Sequence, residues 1–390
     1  MDLANVMAKT MMCAAVLVMG CDDESDAPEA ANEALIDDEV SEANEVIEAL
    51  IDLTDDEREH ENEEKALEFA LGELGPGTAA TEIETLDVTI PAALHAQKLE
   101  LPAKLVRPKG SSASNKRPAM LVLHGSGGLL KDGSGKGKQP CSSEMESQYT
   151  EWSNRLAGLG YTVLLPSSYS ARGFCDKHKD AMPKNFDDKP EQILSRIYDT
   201  DAASRYLCDM EGVDCERMGV LGFSQGGTMV MLALHWQVEH ALSHFRKTKG
   251  KEVDMEIPDL KPGRPEFKMG IAYYPGCGFD GVVPMSTSKS SAIENKYSPT
   301  SPLTILHGSK DSLLKQCSTE HATGGRQIQS AQVAEKLKIE DLYEVIVYKG
   351  ASHSFDSAGG KNPGDANKGA DGAARAAALK VALQKLATQL

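Results

Sequence analysis

Gly222-Phe223-Ser224-Gln225-Gly226 is the stretch that decides the fold. A short apolar run, Met218 to Leu221, precedes it, and a second, Thr228 to Leu234, follows it. That order predicts a strand, a tight turn and a helix. A G-x-S-x-G pentapeptide between a strand and a helix is a nucleophile elbow, in which a strained turn lifts the serine Oγ clear of the sheet. Gly222, Gly226 and Gly227 would let helix and strand approach closely, because a Cβ at those places would collide. The pentapeptide alone also fits a glycine turn with a solvent-facing serine. The partners further along the chain separate the two readings.

Serine is a weak nucleophile at neutral pH and needs a base to take its proton and a third group to hold that base. A histidine, which ordinarily titrates near 6.5, suits the first task. In an elbow fold the chain order is serine, acid, histidine. After Ser224, the run Leu303 to Leu306 leads into His307-Gly308-Ser309-Lys310-Asp311, which puts Asp311 a few residues past a strand end. Tyr343 to Val347 leads into Gly350-Ala351-Ser352-His353-Ser354-Phe355, which puts His353 in the loop after the last catalytic strand. Asp311 also fits a helix N-cap, and His353 a satisfied loop histidine. Asp280 is the rival acid, and Asp356 lies too near His353 in sequence to be chosen. His124 and His307 each precede a glycine at a strand end, where bracing a loop is the expected role.

A tetrahedral intermediate also needs donors for its oxyanion. The backbone N–H of Gln225, directly after the nucleophile, is one. The loop His124-Gly125-Ser126-Gly127-Gly128, after the strand Ala119 to Leu123, should give the other, with Ser126 chosen and Gly127 next. A glycine loop at a strand end can cradle phosphate too. No G-K-[ST] follows it, however, and no G-x-G-x-x-G opens a helix with a later acidic partner, so nucleotide binding is not expected. His240 and His244 lie four apart without a carboxylate motif, and no C-x-x-C occurs, so a polar surface is expected there rather than zinc.

Strand-like and helix-like runs alternate, which predicts an α/β fold with a mostly parallel central sheet and helices on both faces, the α/β-hydrolase fold. Ile83 to Ile90 and Lys98 to Val106 read as two leading antiparallel strands. Ala119 to Leu123, Tyr161 to Leu165, Met218 to Phe223, Phe267 to Tyr273, Leu303 to Leu306 and Tyr343 to Val347 read as further strands. Glu144 to Leu159, Gln192 to Cys208, Gly226 to Val238, Ala331 to Leu337 and Ala373 to Leu386 read as helices. Residues 239–266, rich in Lys, Glu and Pro, break the rhythm and read as a surface insertion.

L-V-L-H-G-S-G-G, Y-T-V-L-L-P, Y-S-A-R-G-F, the helix R-I-Y-D-T-D-A-A-S-R-Y-L, G-V-L-G-F-S-Q-G-G, L-H-G-S-K-D and G-A-S-H-S-F together resemble the dienelactone hydrolase family of α/β-hydrolases. The likeness spans roughly residues 80 to 389. It implies Ser224 as nucleophile, Asp311 as acid and His353 as base. The family's namesake enzymes use cysteine as nucleophile, so serine here makes ordinary esters the expected substrates. Arg172, in Ala171-Arg172-Gly173, lies in a loop where it can touch a substrate acid group or form a structural ion pair.

The ends of the chain differ from the middle. Lys9, the apolar run Met11 to Met19 and Gly20-Cys21 read as an export signal over residues 1–20. Leu17-Val18-Met19-Gly20-Cys21 resembles a bacterial lipobox, which implies lipidation of Cys21. Residues 22–64 hold 20 Asp and Glu against one basic residue, Arg58. The rest of the chain has 40 basic against 39 acidic residues, so the net charge of −18 belongs to this segment and says nothing about the substrate. Residues 21–78 are therefore expected to be a largely disordered acidic tether, and residues 79–390 the hydrolase domain.

Past Cys21 six cysteines remain, an even count that suggests disulfides in an exported protein. Six cysteines allow 15 pairings, which sequence does not decide. Cys208–Cys215, closing a short loop between a helix end and a strand, Cys141–Cys175 and Cys277–Cys317 are the expected set, with reduced buried thiols as the alternative.

Together these readings predict an exported serine hydrolase anchored to a membrane through an N-terminal lipid only. It would face the periplasm or cell exterior and act on small-molecule or polymer-borne carboxylic esters through an acyl-enzyme. No metal, organic cofactor or nucleic acid partner is implied. The alternatives are a peptidase or acyltransferase on the same triad, and a non-catalytic, ligand-binding surface lipoprotein.

Overall fold

Two long strands, β1 (Ile83–Leu94) and β2 (Gln97–Pro108), run antiparallel in register from Ile83 against Pro108 to Leu94 against Gln97. They belong to a computed structural model that describes residues 82–94, 97–131, 141–175, 189–235, 263–277, 299–317, 342–357 and 368–390. All of these lie within the unit Asp55–Leu390. The signal and tether expected over residues 1–78 fall outside the described residues. So do the expected helix Ala331 to Leu337, most of the expected insertion at 239–266 with His240 and His244, and Asp280.

Strand β2 pairs antiparallel with β4 (Thr162–Pro166). From there the sheet is parallel through β3 (Arg117–Leu123), β5 (Val213–Phe223), β6 (Met269–Tyr273), β7 (Leu303–Gly308) and β8 (Tyr343–Tyr348). The strand order is β1-β2-β4-β3-β5-β6-β7-β8. Both faces are covered, which is why the parallel strands read as unbroken apolar runs rather than alternating ones. Ala119, Leu121 and Leu123 of β3 face one core and Met120 and Val122 the other. The first core is closed by α2 (Lys189–Cys208) and α3 (Gln225–Leu234). The second is closed by α1 (Ser147–Gly158) and α5 (Lys368–Gln389). On α1, Tyr149, Trp152 and Leu156 recur at helical spacing and are all buried. This is the α/β-hydrolase fold that the elbow and the alternation of elements predict.

Several boundaries move for local reasons. The first turn expected of α1 is instead extended. Met145 bridges Leu130, and Glu146 sits at φ −56°, ψ 146°, so the helix starts at Ser147. Helix α3 stops at Leu234, because His235 is extended and bridges Pro299. Strand β5 begins five residues early at Val213, and α5 at Lys368 rather than Ala373.

The three expected disulfides are present, with Cα–Cα distances of 5.4 Å for Cys141–Cys175, 5.0 Å for Cys208–Cys215 and 5.1 Å for Cys277–Cys317. These fall in the range a bridge requires. Cys208–Cys215 ties the end of α2 to the start of β5. Cys277–Cys317 ties the segment after β6 to a short helix, α4 (Leu314–Cys317), just past β7.

Helix α3 meets the sheet at van der Waals limits. A Cβ on Gly226 would lie 2.0 Å from the Leu123 carbonyl oxygen, and one on Gly222 2.3 Å from that of Gly226. Neither neighbour is a flexible side chain, so the helix itself would have to move. Gly226→Ala should therefore destabilise the domain by about 3 kcal/mol or more, the upper range for overpacking. A calorimetric Tm unchanged from that of the parent would refute this account of the elbow.

Candidate active site

Strand β5 delivers Ser224 into a backbone conformation that side chains other than glycine rarely adopt, φ 51° and ψ −115°. Main-chain bonds hold it there. The Ser224 N–H donates to the Tyr273 carbonyl at 2.9 Å, and the Thr228 N–H to the Ser224 carbonyl at 3.1 Å. The strain expected of an elbow is thus present, and it is carried by backbone rather than by the hydroxyl.

Asp311 follows β7 through a turn in which its N–H donates to the Gly308 carbonyl at 3.1 Å. Its Oδ1 accepts the Leu313 N–H at 2.9 Å, so it also caps the turn leading into α4. His353 lies past β8 in a loop laced to the acid's loop. Ser309 N–H donates to the Tyr348 carbonyl and Lys310 N–H to the Ala351 carbonyl, both at 2.9 Å. A Cβ on Gly308 would lie 2.4 Å from the Ala351 oxygen, so only glycine lets the two loops come this close. Asp371, in the first turn of α5, accepts from the Ser352 N–H and hydroxyl at 2.7 Å each and steadies the histidine loop from outside.

Three distant side chains meet as a result. His353 Nδ1 lies 2.6 Å from Asp311 Oδ2, and its Nε2 3.0 Å from Ser224 Oγ. A carboxylate only accepts, so Nδ1 carries the proton, and Nε2 is left to accept from the serine hydroxyl. The Asp311 side chain is 1% exposed and that of His353 37%. Burial pushes the Asp311 pKa up. The His353 and Leu313 hydrogen bonds, with the charges of His353 and His307, outweigh it, and the carboxyl sits below its ordinary value.

Of the side chains around these three, Tyr274 and Gln148 have no counterpart among the residues singled out from the sequence. Asp356 is buried. It accepts from the Tyr274 hydroxyl and, at 2.9 Å to each oxygen, from Gln148 Nε2. The Tyr274 ring packs edge-on against His353 at 4.8 Å. Burial raises the Asp356 pKa, with the bonds from Tyr274 and Gln148 opposing. It is not among the groups hydrogen-bonded to His353, whose ring nitrogens face Asp311 and Ser224. His307 is fully buried. Its Nε2 donates to the Pro275 carbonyl at 3.2 Å and its Nδ1 stands 3.4 Å from Asp311 Oδ2, so it braces the acid loop. His124 braces its own loop by donating from Nδ1 to the Gly125 carbonyl at 2.8 Å.

Ser126 is half-buried and Gly127 exposed at the turn closed by the Gly128 N–H on the Gly125 carbonyl. The Gly125 N–H is already taken by the Tyr149 hydroxyl at 2.9 Å. Gln225 opens α3, so its N–H lies at the positive end of that helix. Arg172 forms an ion pair within the fold. Its guanidinium pairs with Asp199 at 2.7 and 3.0 Å and donates to the Ser168 carbonyl at 2.6 Å, with both charged side chains almost fully buried. Of its two expected roles the structural ion pair is the one realised. Asp199 lies on the buried face of α2, whose run of Ser195, Arg196, Asp199 and Ser204 was the signal for a polar core beneath the loop.

Residues 102–262 match the dienelactone hydrolase family. The matched span includes the loop His124–Gly128 and Ser224 and ends before Asp311 and His353. Among solved structures, a dienelactone hydrolase-like promiscuous phosphotriesterase from metagenomic libraries is similar at 16% identity and a TM-score of 0.46, over 78% of this chain and 98% of that one. Esterase 2 of Thermogutta terrifontis, solved phosphorylated by paraoxon, is similar at 14% identity and a TM-score of 0.41, over 73% and 90%. No curated protein sequence matches the chain.

Proposed function

We propose that this protein is a serine hydrolase that cleaves carboxylic esters through an acyl-enzyme. The observation that carries the reading is the unbroken chain of hydrogen bonds from Ser224 Oγ through His353 to buried Asp311, at 3.0 and 2.6 Å. Ser224 attacks the ester carbonyl while His353 Nε2 takes its proton. The N–H groups of Gln225 and Ser126 hold the oxyanion. His353 returns the proton to the leaving alcohol, and water then releases the acid by the same route. Asp311 keeps the imidazole in the required tautomer and stabilises its cation. The match to a family of hydrolases over residues 102–262 supports the reaction class.

The same proposal makes the enzyme an exported lipoprotein, with Cys21 as the acylated residue and 22–64 as an acidic spacer. Three cysteine pairs at bridging distance support an oxidising compartment.

A fluorophosphonate probe should label the protein at Ser224, as located by peptide mass spectrometry, and p-nitrophenyl acetate should be turned over. Absence of labelling would favour a ligand-binding role. Faster turnover of aminoacyl amides than of esters would favour a peptidase.

A further inference from the structure

We infer that Arg196 is a positioning residue for the oxyanion hole: one buried guanidinium ties the His124–Gly128 loop to the residue that follows the nucleophile, and places a positive charge behind the pocket. The inference rests on the ester-hydrolase reading above and concerns how that site stabilises its intermediate.

Arg196, on α2, is only 2% exposed. An arginine so deeply buried is normally paired with a carboxylate. Here the nearest acid on the same helix, Asp199, is occupied by the two-pronged pair with Arg172. Arg196 instead donates to two neutral oxygens, the His124 carbonyl at 2.5 Å and Gln225 Oε1 at 2.9 Å. Its guanidinium carbon stands 5.7 Å from the centre of the Tyr169 ring, and the Tyr169 hydroxyl donates to the same Gln225 oxygen at 2.5 Å. Burial, followed by the charge of Arg196, holds His124 well below its ordinary pKa, so the ring beside the guanidinium is neutral. Burial also lowers the pKa of Arg196, with Tyr169 and Asp199 opposing, yet a guanidinium stays protonated at neutral pH.

The two oxygens that Arg196 holds flank the proposed oxyanion donors. The His124–Gly125 peptide is pinned on both sides, its carbonyl by Arg196 and its N–H by Tyr149. The next two N–H groups are those of Ser126 and Gly127. On the other wall, Gln225 supplies the second donor from its backbone while its side chain is fixed by Arg196 and Tyr169. The span between the two donors is thus set through one planar group. An apolar side chain of the same length would fill the space at lower desolvation cost. It would neither hold both oxygens nor present a fixed charge toward a developing anion.

The test compares wild type, Arg196→Lys and Arg196→Met on a p-nitrophenyl ester, and measures inhibition by a phenylboronic acid, whose adduct with Ser224 Oγ is a tetrahedral anion. Arg196→Met should lower kcat roughly 10- to 100-fold with KM within about twofold, and weaken boronate binding by the same factor. Arg196→Lys should fall between, since it keeps the charge and loses the fork. A merely structural role would lower Tm without moving the boronate constant in step with kcat. If Arg196→Met does not fold, Arg196→Lys carries the comparison. Parental kcat and boronate affinity in the variant that folds would overturn the inference while leaving the triad intact. Wild-type turnover that survives Ser224→Ala would instead overturn the ester-hydrolase reading, and this inference with it.

Discussion

Ser224→Ala should lower kcat on a short-chain p-nitrophenyl ester by about 10⁶-fold and leave the fold unchanged. The size follows from what removal of a triad serine costs where it has been measured. Retention of the fold follows from how residue 224 is held. Its positive φ is fixed by the Tyr273 and Thr228 main-chain bonds, and alanine carries the same Cβ into the same strained backbone. The atom lost is the one that bonds His353 Nε2. Tm should stay within the range of a neutral surface change, about 0.5 kcal/mol in stability. Turnover within tenfold of the parent would mean that another group attacks the ester.

Asp311→Asn should cost about 10⁴-fold in kcat near neutral pH. The amide is isosteric, so packing survives, but the charge is gone. If the amide NH₂ faces His353 Nδ1, the imidazole must carry its proton on Nε2, the nitrogen that has to accept from Ser224. The substitution also predicts a pH signature. The folded-state pKa of Asp311 is depressed, so its ionised form stabilises the native state at pH above the ordinary aspartate value of about 3.9, and that contribution is lost as pH falls through the lower folded value. The parent should therefore be the more stable protein at neutral pH, with the gap in Tm closing below about pH 4. A constant gap across that range would place the stabilisation elsewhere, and a kcat within tenfold of the parent would remove Asp311 from the triad.

The features legible in the sequence were those encoded by short contiguous stretches. The elbow is a five-residue signal flanked by two apolar runs. Asp311 and His353 were recoverable because each follows its own strand at a fixed place in the chain order. The disulfide set was legible in part, since Cys208 and Cys215 lie a few residues apart at an element boundary. What escaped was the layer beneath, which exists only once elements pack. Tyr149 lies on the buried face of α1, yet its hydroxyl takes the Gly125 N–H. Asp356 bonds Tyr274 and Gln148, residues 82 and 208 positions away. Arg172 and Asp199 meet across 27 residues, and nothing local tells an arginine bound for an ion pair from one bound for a ligand.

The bridge between Cys277 and Cys317 has a practical side. It fastens the short helix that follows Asp311 to the segment leaving β6, so the carboxylate's position depends partly on a covalent bond that a reducing cytosol would not form. Recombinant material made in such a host would lack this bridge and hold the acid's loop by hydrogen bonds alone. Its specific activity would under-report the enzyme, and secretion into an oxidising compartment is the preparation to use for every kinetic comparison above.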